Sequence, residues 1–102
     1  MAHLIEEKDG KQMVNDADPA EIRPGMRILV KPGEKIPLDG TVLTGSSQVD
    51  TSPLTGESVP VSVGAGKQVY AGTVNLEGAI TVEVTSRFAD SSVARILELV
   101  EQ

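Results

Sequence analysis

The stretch VDTSPLTGESVPV, residues 49–61, surrounds one glycine with acidic and hydroxyl side chains. Within it, Thr55, Gly56 and Glu57 could act together on a bound ligand. A glycine lets the backbone approach a ligand without a collision from Cβ, and an adjacent carboxylate can orient or deprotonate a water molecule there. The arrangement suits a hydrolytic reaction, while three such residues by themselves are also typical of a solvated turn.

Five other side chains are weaker candidates for chemistry. Asp50 and Ser58 belong to the same stretch, and we expect Asp50 to cap or brace the loop. Glu34 and Asp39 could form a second polar site, but acids at turns more often accept hydrogen bonds from nearby backbone amides. His3 is the one histidine of the chain and is most simply read as a surface residue.

The composition excludes several classes of protein. The chain has 102 residues, which suits a single small domain. It has no cysteine, so disulfide scaffolds, thiolate zinc sites and thiol nucleophiles are excluded. A net charge of -6 and a total of two aromatic residues, one Tyr and one Phe, argue against a nucleic-acid partner. No apolar run approaches the roughly 20 residues of a membrane span.

The elements that must position the candidate residues are mainly strands. Apolar residues alternate with polar ones between turn signals such as Asp9-Gly10 and Pro32-Gly33, which predicts a compact all-β sandwich or roll. Asp18 followed by Pro19 predicts one short helical turn over 18–22, and helical spacing of apolar residues predicts a helix from residue 90. Strands are predicted at 3–7, 11–14, 26–30, 41–44, 48–50, 59–63, 68–70 and 79–85.

Two blocks, KPGEKIPLDG at 31–40 and LTGESVPV at 54–61, resemble the actuator domain of P-type ATPases, most closely in the heavy-metal-transporting branch. The resemblance covers nearly the whole chain. It implies a mainly β fold, a distorted jelly roll or β-sandwich, with a helical turn near 18–22 and a C-terminal helix. It also implies that 1–102 is one actuator domain of a larger membrane ATPase, in which the helix at 90–102 leads toward the next transmembrane segment.

The same resemblance implies roles for the candidate residues. Glu57 would position and activate the water that attacks an aspartyl phosphate, and Thr55 and Gly56 would shape the backbone beside that phosphate. Ser58 and Asp50 would support the loop. The rotation of the domain would then couple hydrolysis to ion translocation.

The resemblance also implies a context. The parent pump would use ATP and Mg, and the partners of this domain would be the phosphorylation and nucleotide-binding domains and the transmembrane helices of the same polypeptide. We expect a cytoplasmic domain of a cell-membrane protein that, in isolation, is monomeric, not catalytic and without a metal or cofactor site. The transported ion would be zinc, cadmium or copper, with a lean to the zinc and cadmium branch.

Two alternatives come from other classes. Val49-Asp50-Thr51-Ser52 is similar to the acid and hydroxyl signature of retroviral-type aspartic proteases, in which two Asp residues of a homodimer share a proton. Against this, Ser52 and Pro53 stand where that family has Gly-Ala. The second alternative is a non-catalytic β-sandwich domain that binds another protein, with Glu57 at its surface.

Overall fold

The chain opens with a long β-hairpin. In the computed structural model, which describes residues 1–56 and 59–88, β1 (Ala2–Lys8) pairs antiparallel with β2 (Lys11–Ala17). Asp9 and Gly10 form the two-residue turn with φ angles of 54° and 77°. Positive φ at both positions matches the right-handed twist of the two strands, which is why this dipeptide predicts a hairpin.

The rest of the described chain adds seven strands and two short helical segments. A 3₁₀ turn spans Pro19–Glu21, where the Asp18 carboxylate accepts a hydrogen bond from the Ala20 amide at 3.0 Å. The other elements, in chain order, are β3 (Arg27–Val30), β4 (Gly40–Thr44), β5 (Ser47–Asp50), α1 (Ser52–Thr55), β6 (Val61–Val63), β7 (Gln68–Val69), β8 (Val74–Asn75) and β9 (Ile80–Val84).

The strands form two antiparallel sheets. The larger sheet has the order β2-β1-β3-β9-β4-β7, and the smaller has the order β6-β5-β8. Consecutive strands are often not neighbours, so most pairings join distant parts of the sequence. The register of β4 against β9, two interior strands of the larger sheet, shifts between Val42 and Thr44.

The apolar core is aliphatic. Alternate residues of the strands face it, as Ile28 and Val30 do in β3 and Val82 and Val84 do in β9. Burying each such side chain contributes about 1.5–3 kcal/mol. The cluster comprises Ala2, Ile22, Ile28, Val30, Ile36, Leu38, Val42, Val49, Val63, Val69, Ile80, Val82 and Val84.

A buried polar pair joins the two sheets. The Asn75 side chain, which is fully buried, accepts a hydrogen bond from the Ser47 hydroxyl and donates to the carbonyls of Val30 at 3.1 Å and Gly78 at 2.7 Å. The Ser47 oxygen in turn accepts hydrogen bonds from the amides of Glu77 and Gly78. Because every partner is satisfied, the pair fixes β5 against β3 and β8 without an orphaned polar group.

The structure confirms the mainly β fold, the opening hairpin and the helical turn near 18–22. It adds two elements that the sequence interpretation lacks, namely α1 and β8. The helix predicted from residue 90 lies outside the described residues. Within 1–56 and 59–88, no helix is long and apolar enough to cross a membrane.

Candidate functional site

The candidate loop leaves the small sheet at the end of β5. Asp50 is the last residue of that strand, and the single-turn helix α1 begins two residues later with Pro53 in its first turn. Proline is well tolerated there because the first amides of a helix have no intrahelical acceptor. Thr55 ends the helix, and Gly56 caps it.

The Asp50 carboxylate fixes the start of α1. Its Oδ1 accepts a hydrogen bond from the Ser52 backbone amide at 2.9 Å. That bond, and then one from the Ser52 hydroxyl, lower the pKa of Asp50 below its ordinary value, so the carboxylate is ionised at neutral pH. An ionised carboxylate used in this way braces the turn between β5 and the helix.

The backbone carbonyl of Thr51 accepts three hydrogen bonds from residues of α1. It accepts from the amides of Leu54 and Thr55, both at 2.9 Å, and from the Thr55 hydroxyl at 3.1 Å. The Thr55 side chain is therefore held back toward the start of α1, while the residue itself is exposed.

Gly56 turns the chain out of the helix in a left-handed conformation. Its φ is 78°, and its amide donates to the Ser52 carbonyl at 2.9 Å. A Cβ on Gly56 would meet no atom of the described residues within 4 Å. The backbone conformation therefore accounts for the glycine, and crowding by the described residues does not.

Glu57 and Ser58 lie outside the described residues. The residues on either side of them are exposed: Gly56 before them, and Val59 after them with 71% of its surface accessible. Of the predicted site residues, the structure thus brings Asp50, Thr55 and Gly56 together on one turn.

Two apolar grooves flank α1, and Leu54 lines both. Each has a volume of about 300 Å³. The first runs between Leu54 and the segment around Ile36, with Phe88 at its side, and the second runs between Leu54 and Tyr70. No residue of α1 is buried, so hydrogen bonds at its two ends carry much of its positioning.

The two other candidate acids act within the fold. The buried Asp39 carboxylate accepts a hydrogen bond from the Ala71 amide at 2.8 Å, and Glu34 accepts one from the Lys31 amide at 2.8 Å. This confirms the prediction of a turn acid that binds a nearby backbone amide for Glu34, whereas Asp39 binds an amide 32 positions away in the sequence. Glu34 also contacts His3, whose side chain is only 23% exposed, so the prediction of a simple surface histidine is wrong.

Sequence reasoning missed α1 although its signal was present. Thr51 and Ser52 precede Pro53, and a hydroxyl residue shortly before a proline is typical of a helix start, as is the Asp18-Pro19 pair that predicted a helical turn. In the described parts of the chain, no three or more His, Cys, Asp and Glu residues are grouped so that they could hold a metal ion.

Comparisons by sequence and by structure both match this chain to P-type ATPases. The family model for the P-type ATPase actuator domain matches residues 1–101. A zinc-transporting ATPase of Synechocystis sp. is 52% identical over 88 residues, which are 86% of this chain and 12% of that protein. A cadmium, zinc and cobalt-transporting ATPase of Bacillus subtilis is 44% identical over 97 residues, 95% of this chain and 13% of that protein.

A solved structure shows the same fold. The crystal structure of a zinc-transporting PIB-type ATPase in the E2.Pi state superposes with a TM-score of 0.84 at 34% sequence identity. The match covers 98% of this chain and 16% of that one. The chain therefore spans well under a fifth of the length of the relatives that it matches.

Proposed function

This chain belongs to the actuator-domain family of P-type ATPases, and from that we propose that its Thr55-Gly56-Glu57 loop drives hydrolysis of the aspartyl-phosphate intermediate of a heavy-metal pump. The observation that carries the proposal is the braced turn. Asp50 and Ser52 fix one end of α1, and the other end presents the exposed Thr55 and Gly56. Family membership also sets aside the aspartic protease interpretation.

In the proposed step, Glu57 accepts a proton from a water molecule as the water oxygen attacks phosphorus. The bond between phosphorus and the aspartate oxygen breaks, which gives inorganic phosphate and a free carboxylate. A positioned general base contributes about 10² to 10⁴ in rate. Gly56 allows the backbone to approach the phosphate closely, because no Cβ stands in the way.

Asp50 and Ser58 are proposed as supporting residues. Asp50 acts at a distance from the phosphate, through the Ser52 amide that it holds at 2.9 Å. Its carboxylate is thus a positioning group, since its Oδ1 is already engaged with the backbone. Ser58 follows Glu57 directly and completes the Thr-Gly-Glu-Ser sequence.

The fold suits a domain that moves as a rigid body. Two sheets share one aliphatic core, and the Asn75 side chain links them by its hydrogen bond to the Val30 carbonyl in β3. A body of this kind can rotate without deforming and carry the loop toward or away from a phosphorylation domain. We propose that this rotation couples hydrolysis to the opening of the ion pathway.

The relatives support a proposal for the architecture and location of the whole protein. We propose that residues 1–102 form the single actuator domain of a longer pump, on the cytoplasmic side of a cell membrane, with 90–102 leading toward the next transmembrane segment. The pump would use ATP and Mg on its phosphorylation and nucleotide-binding domains. The transported ion would be zinc, cadmium or copper. The names of two similar ATPases include zinc, and one of them also includes cadmium.

The native coding frame on either side tests this context. Apolar segments of about 20 residues on both sides and an Asp-Lys-Thr-Gly phosphorylation sequence downstream are expected. A frame that stops beside residue 102 with no apolar segment on either side would contradict the pump. The role of Glu57 itself is tested by the lifetime of the phosphoenzyme when that residue is changed to Gln.

A further inference from the structure

The imidazole of His3 lies between two carboxylates from different elements. Its Nδ1 is 3.0 Å from Oδ1 of Asp16, and its Nε2 is 2.8 Å from Oε2 of Glu34. Asp16 stands opposite His3 in the β1–β2 ladder, whereas Glu34 belongs to the turn that follows β3. One side chain thus connects three segments that are distant in sequence.

This contact lies where the hairpin is attached to the body of the domain. β1 pairs with β3 only through His3, Leu4 and Ile5, and the rest of the hairpin extends beyond that ladder. Farther along, the Arg27 guanidinium and the Glu7 carboxylate form a salt bridge at 3.0 Å, but both side chains are substantially exposed. Such exposed pairs add little. Asp16 is likewise exposed, at 68%, whereas the His3 and Glu34 side chains are 23% and 37% exposed, so the contact with Glu34 is the one that matters for attachment.

We propose that His3 is a pH-sensitive clamp that holds the β1–β2 hairpin against the Glu34 turn. A neutral imidazole has one N–H and can donate to only one carboxylate, whereas the imidazolium donates from both nitrogens. Both ring nitrogens of His3 face carboxylate oxygens at hydrogen-bond distance. The observed geometry is therefore that of the charged ring, and loss of one proton breaks one of the two bonds.

The two carboxylates favour the same state, against one nearby cation. Lys35 lines the small cleft beside His3, where its positive charge opposes the imidazolium, and the facing residue of β3 is the apolar Leu29. The second oxygen of Glu34 accepts from the Lys31 amide, which fixes the carboxylate in place. The hydrogen bond to Glu34, and then that to Asp16, raise the pKa of His3, and the bond to His3 lowers the pKa of Glu34.

The two shifts define the pH range of the clamp. Because the pKa of His3 is raised on folding, its contribution is complete below about 6.5 and is lost as the pH rises through the folded value. Because the pKa of Glu34 is lowered, its contribution is complete above about 4.5 and is lost as the pH falls through the folded value. The clamp is thus tightest in mildly acidic solution, and the hairpin loosens as the solution becomes neutral to alkaline.

NMR spectroscopy of the 102-residue chain tests the clamp by two readouts. The first is the titration of the His3 ring, whose midpoint is expected above 6.5 and closer to 6.5 in Glu34→Gln. The second is amide protection in β1 and β2, measured against the intrinsic exchange rate at each pH. Protection is expected to fall about two- to fivefold as the pH passes through the His3 midpoint, the range for a partly exposed ion pair.

Matched variants separate the clamp from a general pH effect. His3→Gln should remove the step in hairpin protection and Glu34→Gln should reduce it, while Glu77→Gln, which neutralises an exposed acid in another loop, should keep it at full size. Amides of β9 serve as the internal reference for global opening. A step of equal size in His3→Gln, or a His3 midpoint at or below 6.5 in the unchanged chain, would overturn the proposal.

Discussion

The carboxylate of Asp50 holds the backbone amide of Ser52 at 2.9 Å, and this contact sets the direction in which the chain leaves β5. Everything proposed for the loop follows from that turn. α1 is one turn long and has no buried residue, so its position depends on its ends. A change at Asp50 should therefore reach the candidate loop five to seven residues later.

Asp50→Ala and Asp50→Asn should differ in the parent pump. Asn keeps an oxygen that can accept a hydrogen bond from the Ser52 amide, whereas Ala has none. We expect Asp50→Ala to slow phosphoenzyme hydrolysis about fivefold and Asp50→Asn to leave it nearly unchanged, measured by loss of trapped phosphoenzyme. Equal losses in both variants would instead indicate that the charge of Asp50 takes part in the chemistry.

Gly56→Ala should disturb the loop through its backbone. Gly56 has a φ of 78°, which costs an Ala residue about 1–2 kcal/mol. Relief of that strain would move Glu57, and misplacement by about 1 Å can cost roughly a hundredfold in rate. We expect a phosphoenzyme that persists at least about tenfold longer.

Gly10→Ala is the matched control for that change. Gly10 has a φ of 77° and, like Gly56, no atom of the described residues within 4 Å of its Cβ position, but it lies in the turn of the β1–β2 hairpin. Thermal unfolding should show similar destabilisation of both variants, with a longer phosphoenzyme lifetime only for Gly56→Ala. A similar lifetime in the two would refute a special role for Gly56.

Asn75→Ala should destabilise the whole domain. It removes the partner of Ser47 and the donors to Val30 and Gly78 from a fully buried site. We expect a loss of about 2–4 kcal/mol in the free energy of unfolding, measured from urea midpoints with an unchanged m value. Asn15→Ala, on the exposed β2, should stay within about 0.5 kcal/mol of the unchanged chain, and a comparable loss there would contradict the explanation.

The isolated chain should bind neither ATP nor the transported ion. It has no cysteine, and its described residues offer no cluster of metal-binding side chains. Calorimetric titration with Zn²⁺ and with Mg-ATP is expected to show heats of dilution alone. Saturable binding of Zn²⁺ or Mg-ATP at micromolar concentration would contradict this prediction and would show that the domain has a ligand site of its own.

The sequence predicted the elements whose signals are local. Asp9-Gly10 between alternating residues gives the hairpin, and Asp18-Pro19 gives the 3₁₀ turn. Both depend on backbone preferences within a few residues, so no knowledge of the rest of the fold is needed. The strands likewise follow from the alternation of apolar residues that face one core.

Contacts between distant residues could not be predicted in the same way. Asn75 is polar and buried because it meets Ser47, which lies 28 positions earlier, and β8 is only two residues long. His3 meets partners 13 and 31 positions away. Such partners become visible only when the strand orders β2-β1-β3-β9-β4-β7 and β6-β5-β8 are known. At the candidate site, the Thr55-Gly56-Glu57 motif could be recognised in the sequence. The hydrogen bond from the Ser52 amide to the Asp50 carboxylate became known only from the structure.

The lifetime of the phosphoenzyme in a Glu57→Gln pump tests the central claim most directly. Gln keeps the size of the side chain but cannot take a proton from water, so phosphorylation by ATP should remain and the phosphoenzyme should persist about 10² to 10⁴ times longer. Glu77→Gln, a change at an exposed acid in another loop, should decay like the unchanged pump. A Glu57→Gln phosphoenzyme that decays at the unchanged rate would contradict the proposed role of the loop.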